Sequence, residues 1–277
     1  MTGDATVTAD APADAKGDRR RRLASVRRRI AEISHASNSA HFGSSLSCVE
    51  ILDSIFQVSG VSVRIASDHD KPRIIMSKGH AAMVYYATLE AYGLIPGRAL
   101  DRYLADGSTL WGHVTKTDAV PAIDVSTGSL GHGLSLSAGF ALGHRLNRQD
   151  AAVYCVLSDG ECDEGATWEA AHFAGHHRFD RLTAVIDYNK IQSLDRVEDV
   201  LSLEPFADKW RSFGWSVDEV DGHDPWSIDA AIAGPRDGRP LAVIAHTVKG
   251  KGVPRIEDTV ASHYHPATAE DSSGFDA

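Results

Sequence analysis

The chain has 277 residues, 43% of them hydrophobic and 24% charged, which suits one large α/β domain with short tails. Its formal net charge of −10 argues against a general nucleic-acid binder, which would present a basic surface. No apolar run approaches the roughly 20 residues that cross a bilayer, so no membrane association is expected.

In chain order, residues 1–18 are rich in Ala, Asp and Thr. They lack the apolar core of a secretory signal and are expected to be disordered. A folded domain is expected over 19–266, followed by a polar C-terminal tail over 267–277. The basic residues Arg19 to Arg22 and Arg27 to Arg29 overlap a helical pattern with Leu23, Val26, Ile30 and Ile33 on one face. They read as the solvated side of a first helix. Apolar runs follow at Arg73–Met76, Val153–Leu157, Leu182–Ile186, Trp215–Val220 and Leu241–Val248. Between the second and third lies a helical segment over 165–177, carrying Trp168, Ala171, Phe173 and Ala174. Continuous apolar strands alternating with helices predict an α/β fold, a parallel sheet flanked by helices on both faces. Such sheets bind ligands beyond the carboxyl ends of their strands. The three cysteines, Cys48, Cys155 and Cys162, form no CxxC pair, and a reduced, cytoplasmic protein is expected.

The informative polar residues follow the apolar runs. After Val153–Leu157 comes Ser158-Asp159-Gly160-Glu161, and after Leu182–Ile186 comes Asp187-Tyr188-Asn189-Lys190-Ile191. Asp159 and Asn189 are one strand–helix–strand unit apart, so both can face one crevice. A carboxylate, an amide oxygen and a nearby main-chain carbonyl are hard ligands suited to Mg²⁺ or Ca²⁺, and they leave positions open for phosphate oxygens. Either residue alone is more often a turn or cap residue; the pair at this spacing is the stronger signal.

That pair resembles the GDG…N motif of thiamine-diphosphate enzymes, with Ser158 in place of the first glycine. Further segments resemble transketolases in the family's order: Asn38-Ser39-Ala40-His41-Phe42-Gly43, Ser77-Lys78-Gly79-His80, Ser126-Thr127-Gly128-Ser129-Leu130-Gly131-His132-Gly133-Leu134-Ser135, and Thr247-Val248-Lys249-Gly250-Lys251-Gly252 followed by His263, with Trp111-Gly112-His113 where the family carries its GHP histidine. The resemblance spans about residues 20–266 and implies thiamine diphosphate and Mg²⁺ as cofactors. It implies Asp159, the Asn189 side chain and the Ile191 carbonyl as metal ligands. Cofactor contacts are implied for His80, Gly128, Ser129, Leu130, Gly160, Glu161 and His263. His41, His113 and His263 are implied over the reacting thiazolium carbon, with His265 an alternative to His263. His132 stands where the family has Gln, and is expected to act there as a different hydrogen-bonding partner. For Glu164, stabilising a helix N-terminus is a sufficient role, with communication across a dimer interface the alternative that the resemblance implies. Of the fourteen histidines, His35, His69, His144, His172, His176, His177, His223 and His246 read as ordinary surface or core residues.

The family's pyrimidine-binding domain, which supplies the activating glutamate, has no counterpart in this sequence. The resemblance therefore implies an N-terminal subunit that works only with a C-terminal partner subunit, in an α2β2 assembly. The reaction implied is two-carbon ketol transfer between sugars or sugar phosphates. A subunit of a 2-oxo acid dehydrogenase or decarboxylase, and a non-catalytic regulatory subunit, remain as alternatives.

Overall fold

The computed structural model describes residues 13–61 and 70–275. Residues 1–12 of the expected disordered tail, His69 and residues 276–277 lie outside that part. All five expected apolar runs are strands: β1 (Arg73–Met76), β2 (Val153–Ser158), β3 (Leu182–Tyr188), β4 (Ser216–Asp221) and β5 (Leu241–His246). They form one wholly parallel sheet in the order β1-β2-β3-β5-β4.

Period-two alternation divides each central strand between two cores. Ile74, Met76, Tyr154, Val156, Val185 and Val243 face one layer, built on α1 (Ala13–Ser37), α3 (Val49–Ser59) and α4 (Ala82–Ala91), with short α2 (Phe42–Leu46) beside them. Ile75, Val153, Cys155, Leu157, Ile186 and Ile244 face the other, built on α5 (Gly133–Leu146), α6 (Gly165–His176) and α7 (Phe206–Ser212). Burial on both faces is why the strands read as continuous apolar runs. Strand β4 is the exception: it lies at the sheet edge, half exposed, and carries Asp218, Glu219 and Asp221. Charges of this kind discourage a further strand from pairing there.

Three expectations need correction. Helix α1 begins at Ala13, inside the stretch expected to be disordered. The anchor of its first turns is ionic rather than apolar, which is why no hydrophobic period marks where it begins. Buried Arg19 bonds Asp53 at 2.7 Å, Ser54 at 2.9 Å and Asp229, on α8 (Pro225–Ala233), at 2.6 Å. The basic cluster is likewise not simply solvated. Arg22, Arg27 and Arg29 pair with Asp53 and Glu50 of α3 and with Glu90 of α4. The C-terminal tail also departs from expectation through 267–275. Ala267 and Phe275 are buried, and the Ala267 N–H donates to the Ser34 hydroxyl at 3.0 Å. Asp271 of this segment also pairs with Arg255, and Arg28 of α1 donates to the Phe275 carbonyl at 3.4 Å.

Candidate functional site

Four neighbouring strands, β1, β2, β3 and β5, end at the same edge of the sheet, and the loop after each contributes to one cavity of about 250 Å³. Lys78 and His80 follow β1, Asp159 and Gly160 follow β2, Asn189 and Ile191 follow β3, and Lys249 follows β5. His41, His113, Gly128, Leu130 and His263 complete the wall.

The oxygen donors are held by a buried network. Asp187, the penultimate residue of β3, accepts from the Lys78 ammonium and the Thr247 hydroxyl, from the Ser47 hydroxyl at 2.6 Å and from Asn189 Nδ2 at 3.1 Å. A carboxylate only accepts, so the amide nitrogen of Asn189 must face Asp187, and Oδ1 lies on the opposite side. Burial opposes the charge on Asp187, but Lys78 and the hydroxyls overcome it and hold the carboxyl below its ordinary value. Asp159 accepts from the Gly160 N–H at 2.7 Å and the Lys190 N–H at 2.6 Å. Burial, then the charge of Asp187, push its carboxyl up to about 7. A divalent cation beside Asp159 would relieve that cost.

This donor set fits a magnesium diphosphate. Asp159, Asn189 Oδ1 and the Ile191 carbonyl are all hard oxygens. Among the described residues, no group of three or more His, Cys, Asp or Glu could hold a metal, so further ligands would have to come from phosphate oxygens and water. The Lys249 ammonium stands ready for the anionic charge, while that of Lys78, also in the lining, is paired with Asp187. Lys249 Nζ donates to the Ile191 carbonyl at 2.9 Å and lies 3.1 Å from His263 Nδ1. Burial brings this amine down to about 8, against the opposing pull of Asp159.

Over the same cavity four imidazoles cluster. The His41 ring lies 4.8 Å from His263, 5.1 Å from His80 and 6.4 Å from His113, centroid to centroid. His41 adopts a left-handed backbone (φ 65°), and its N–H donates to the His263 carbonyl at 3.0 Å, which ties the two loops together. Burial first, then neighbouring His113 and Lys249, take His41 down to about 4. Burial and Lys249 take His263 down to about 3. Both are neutral at pH 7. His263 Nδ1 accepts from Lys249, so its proton sits on Nε2. His41 Nδ1 is buried without a partner, a polar atom that a ligand would satisfy. Gly128 permits close packing here: a Cβ on it would come within 2.9 Å of the His113 ring.

Most of the expected site residues meet in this cavity, and some do not. His41, His80, His113, Gly128, Leu130, Asp159, Gly160, Asn189, Ile191 and His263 all line it. Ser129 is exposed and outside the lining. Glu161 is buried behind the lining, where it accepts from the Ser77 hydroxyl and from the Gly131 N–H at 2.9 Å. It braces the two glycine-rich loops rather than facing the cavity. His265 and His132 are exposed and outside it. Ser158 lines the wall, and its hydroxyl accepts from the Glu161 N–H at 3.3 Å. Lys78, Lys249 and Asp187 were within the motifs but had no assigned role.

Residues 19–274 match the family described as transketolase, thiamine diphosphate binding domain. The chain belongs to this transketolase family. It is 37% identical over 247 residues to an apulose-4-phosphate transketolase subunit of Phocaeicola vulgatus, covering 88% of this chain and 87% of that one. It is 38% identical over 233 residues to a 6-deoxy-6-sulfo-D-fructose transketolase subunit of a Clostridium species, covering 83% and 84%. Among solved structures, a Pichia stipitis transketolase superposes with a TM-score of 0.82 at 27% identity, covering 92% of this chain and 40% of that one. The Campylobacter jejuni transketolase, at 23% identity, shares the fold with a TM-score of 0.79. The chain thus spans about two fifths of the solved transketolases but most of the length of the relatives named as subunits.

Proposed function

We propose that this chain is the diphosphate-binding subunit of a two-component transketolase, working in an α2β2 assembly with a second polypeptide that carries the pyrimidine-binding domain. The observation that carries the reading is the convergence of Asp159, Asn189, the Ile191 carbonyl and the four imidazoles on one cavity at the ends of four parallel strands. The named relatives take a ketose phosphate and a sulfonated ketose. An anionic ketose is therefore the donor class proposed here, with an aldehyde as acceptor. The three cysteines are all free and buried, which favours a reducing, cytoplasmic setting.

Bound thiamine diphosphate would supply a thiazolium carbon able to accept the electron pair released when a ketose carbon–carbon bond breaks. The protein's own part is positioning and proton handling. Asp159, Asn189 and the Ile191 carbonyl would hold the metal, and Lys249 and His80 the diphosphate. The neutral imidazoles of His41 and His263 can each offer an N–H to a carbonyl or hydroxyl oxygen. His113, exposed and in the cavity lining, would contact the substrate as well.

Native mass spectrometry of the protein purified from its own cells, with Mg²⁺ and thiamine diphosphate present, tests this reading. A complex with equal numbers of a second polypeptide, active in ketol transfer from a ketose phosphate, is the expected result. A cofactor-loaded homodimer without partner, or a complex that cleaves only 2-oxo acids, would overturn it.

A further inference from the structure

We propose that His223 is a positioning residue that sets where Lys249 enters the cavity. The inference rests on the reading above, in which the cavity receives thiamine diphosphate. His223 lies in the turn between β4 and α8, outside the cavity lining. Both of its ring nitrogens are nevertheless engaged, each by a different element of the fold.

The pairing of β4 with β5 ends at Asp221 and His246. Beyond it, the Gly222 N–H donates to the His246 carbonyl at 2.8 Å, and a Cβ at Gly222 would lie 2.3 Å from Thr247 Cγ2. The turn is therefore pressed against the end of β5. The Thr247 N–H reaches the Tyr188 carbonyl at 3.3 Å, but Val248 has passed the ladder. Its N–H donates instead to His223 Nε2 at 2.8 Å. An imidazole that accepts at Nε2 carries its proton on Nδ1, and Nδ1 lies 3.3 Å from Glu50 Oε2. Glu50 is buried on α3, and Arg27 of α1 grips both its oxygens at 2.6 and 2.7 Å. Burial opposes the charge on Glu50, yet Arg27 and His223 hold its carboxyl below the ordinary value, so it is a firm acceptor.

The line from Arg27 through Glu50 and His223 thus ends on the peptide nitrogen one residue before Lys249. Lys249 is 1% exposed, with its Nζ on the Ile191 carbonyl and beside His263. On its other side the Gly250 N–H donates to the Gly43 carbonyl at 3.0 Å. A long, buried lysine side chain aimed at a fixed point needs a fixed backbone, and His223 supplies the only side-chain bond to Val248 N among the described residues.

The test uses the full chain co-expressed with its partner subunit, titrated calorimetrically with thiamine diphosphate in Mg²⁺. Three forms are compared: wild type, His223→Leu and His223→Gln, whose amide oxygen can take the place of Nε2. The Leu variant is expected to bind the cofactor about fivefold to tenfold more weakly, the loss of roughly one hydrogen bond. Its kcat at saturating cofactor should stay near wild type, and amide exchange of the peptide spanning 246–252 should quicken. The Gln variant should recover most of the affinity, which a merely structural role would not require. Should the Leu variant fail to fold, His223→Asn, too short to reach the Val248 N–H, is set against Gln in its place. Wild-type affinity in the variant lacking the acceptor, or no recovery with Gln, overturns the positioning role and leaves the transketolase reading standing. A wild-type assembly that binds no thiamine diphosphate overturns both.

Discussion

His41 and His263, buried in one cavity beside ammonium groups, do not readily accept protons, and this sets their pH behaviour at the level of single residues. His41, taken down to about 4 by burial and by neighbouring His113 and Lys249, stays neutral where an unfolded imidazole, at 6.5, has already charged. As pH falls from 6.5 towards 4 the unfolded chain takes up a proton that the folded chain refuses, so the folded state loses stability across that window. His263 acts in the same sense down to about 3. NMR titration of the ring C–H signals should find a His41 midpoint near 4 in the folded chain; a midpoint near 6.5 would show the ring to be solvated. In the sequence, the four histidines could be named through their motifs, because each motif pairs a histidine with small residues at an identifiable place. What could not be read was their mutual approach, which depends on Gly128 and on the left-handed turn at His41. Lys249 was illegible for a related reason: its role comes from the burial of its amine, and nothing in a KGKG run says which lysine is inside.

Strands were the most legible elements and the first helix the least. A run buried on both faces is apolar throughout, so β1, β2, β3 and β5 stand out in the sequence. The order in which they pair is set by which helix covers which face, and no single run records it. The start of α1 was hidden because an arginine, not an apolar residue, pins it. That same anchor makes a sharp prediction. Arg19→Ala leaves Asp229, 1% exposed, without its cation, and should cost about 3–5 kcal/mol of stability, measured by urea unfolding. The double change Arg19→Met with Asp229→Asn should recover a large part of that loss, because neither residue then buries an unmatched charge. A single Arg19→Ala variant as stable as wild type would mean that the first turns of α1 contribute nothing to the fold.

The whole molecule is a scaffold whose binding energy for a charged ligand is concentrated at one end of its sheet. A carboxyl raised to about 7, as that of Asp159 is, is a cost that the fold carries for the sake of the ligand. Loading the assembly with thiamine diphosphate and Mg²⁺ should raise its melting temperature by roughly 2–5 °C at a hundredfold excess over Kd. A chelator should reverse the rise, and Asp159→Ala should abolish it. A rise that survives chelation would place the metal outside the binding equilibrium. The strand order has a last consequence, for synthesis. A ribosome delivers this chain N-terminus first, and the wall of the cavity is assembled from segments as early as His41 and as late as His263. β5 must insert between β3 and β4, both made before it. The nascent chain can therefore pair its first three strands while still attached, but it has no complete grip on a cofactor until His263 has emerged.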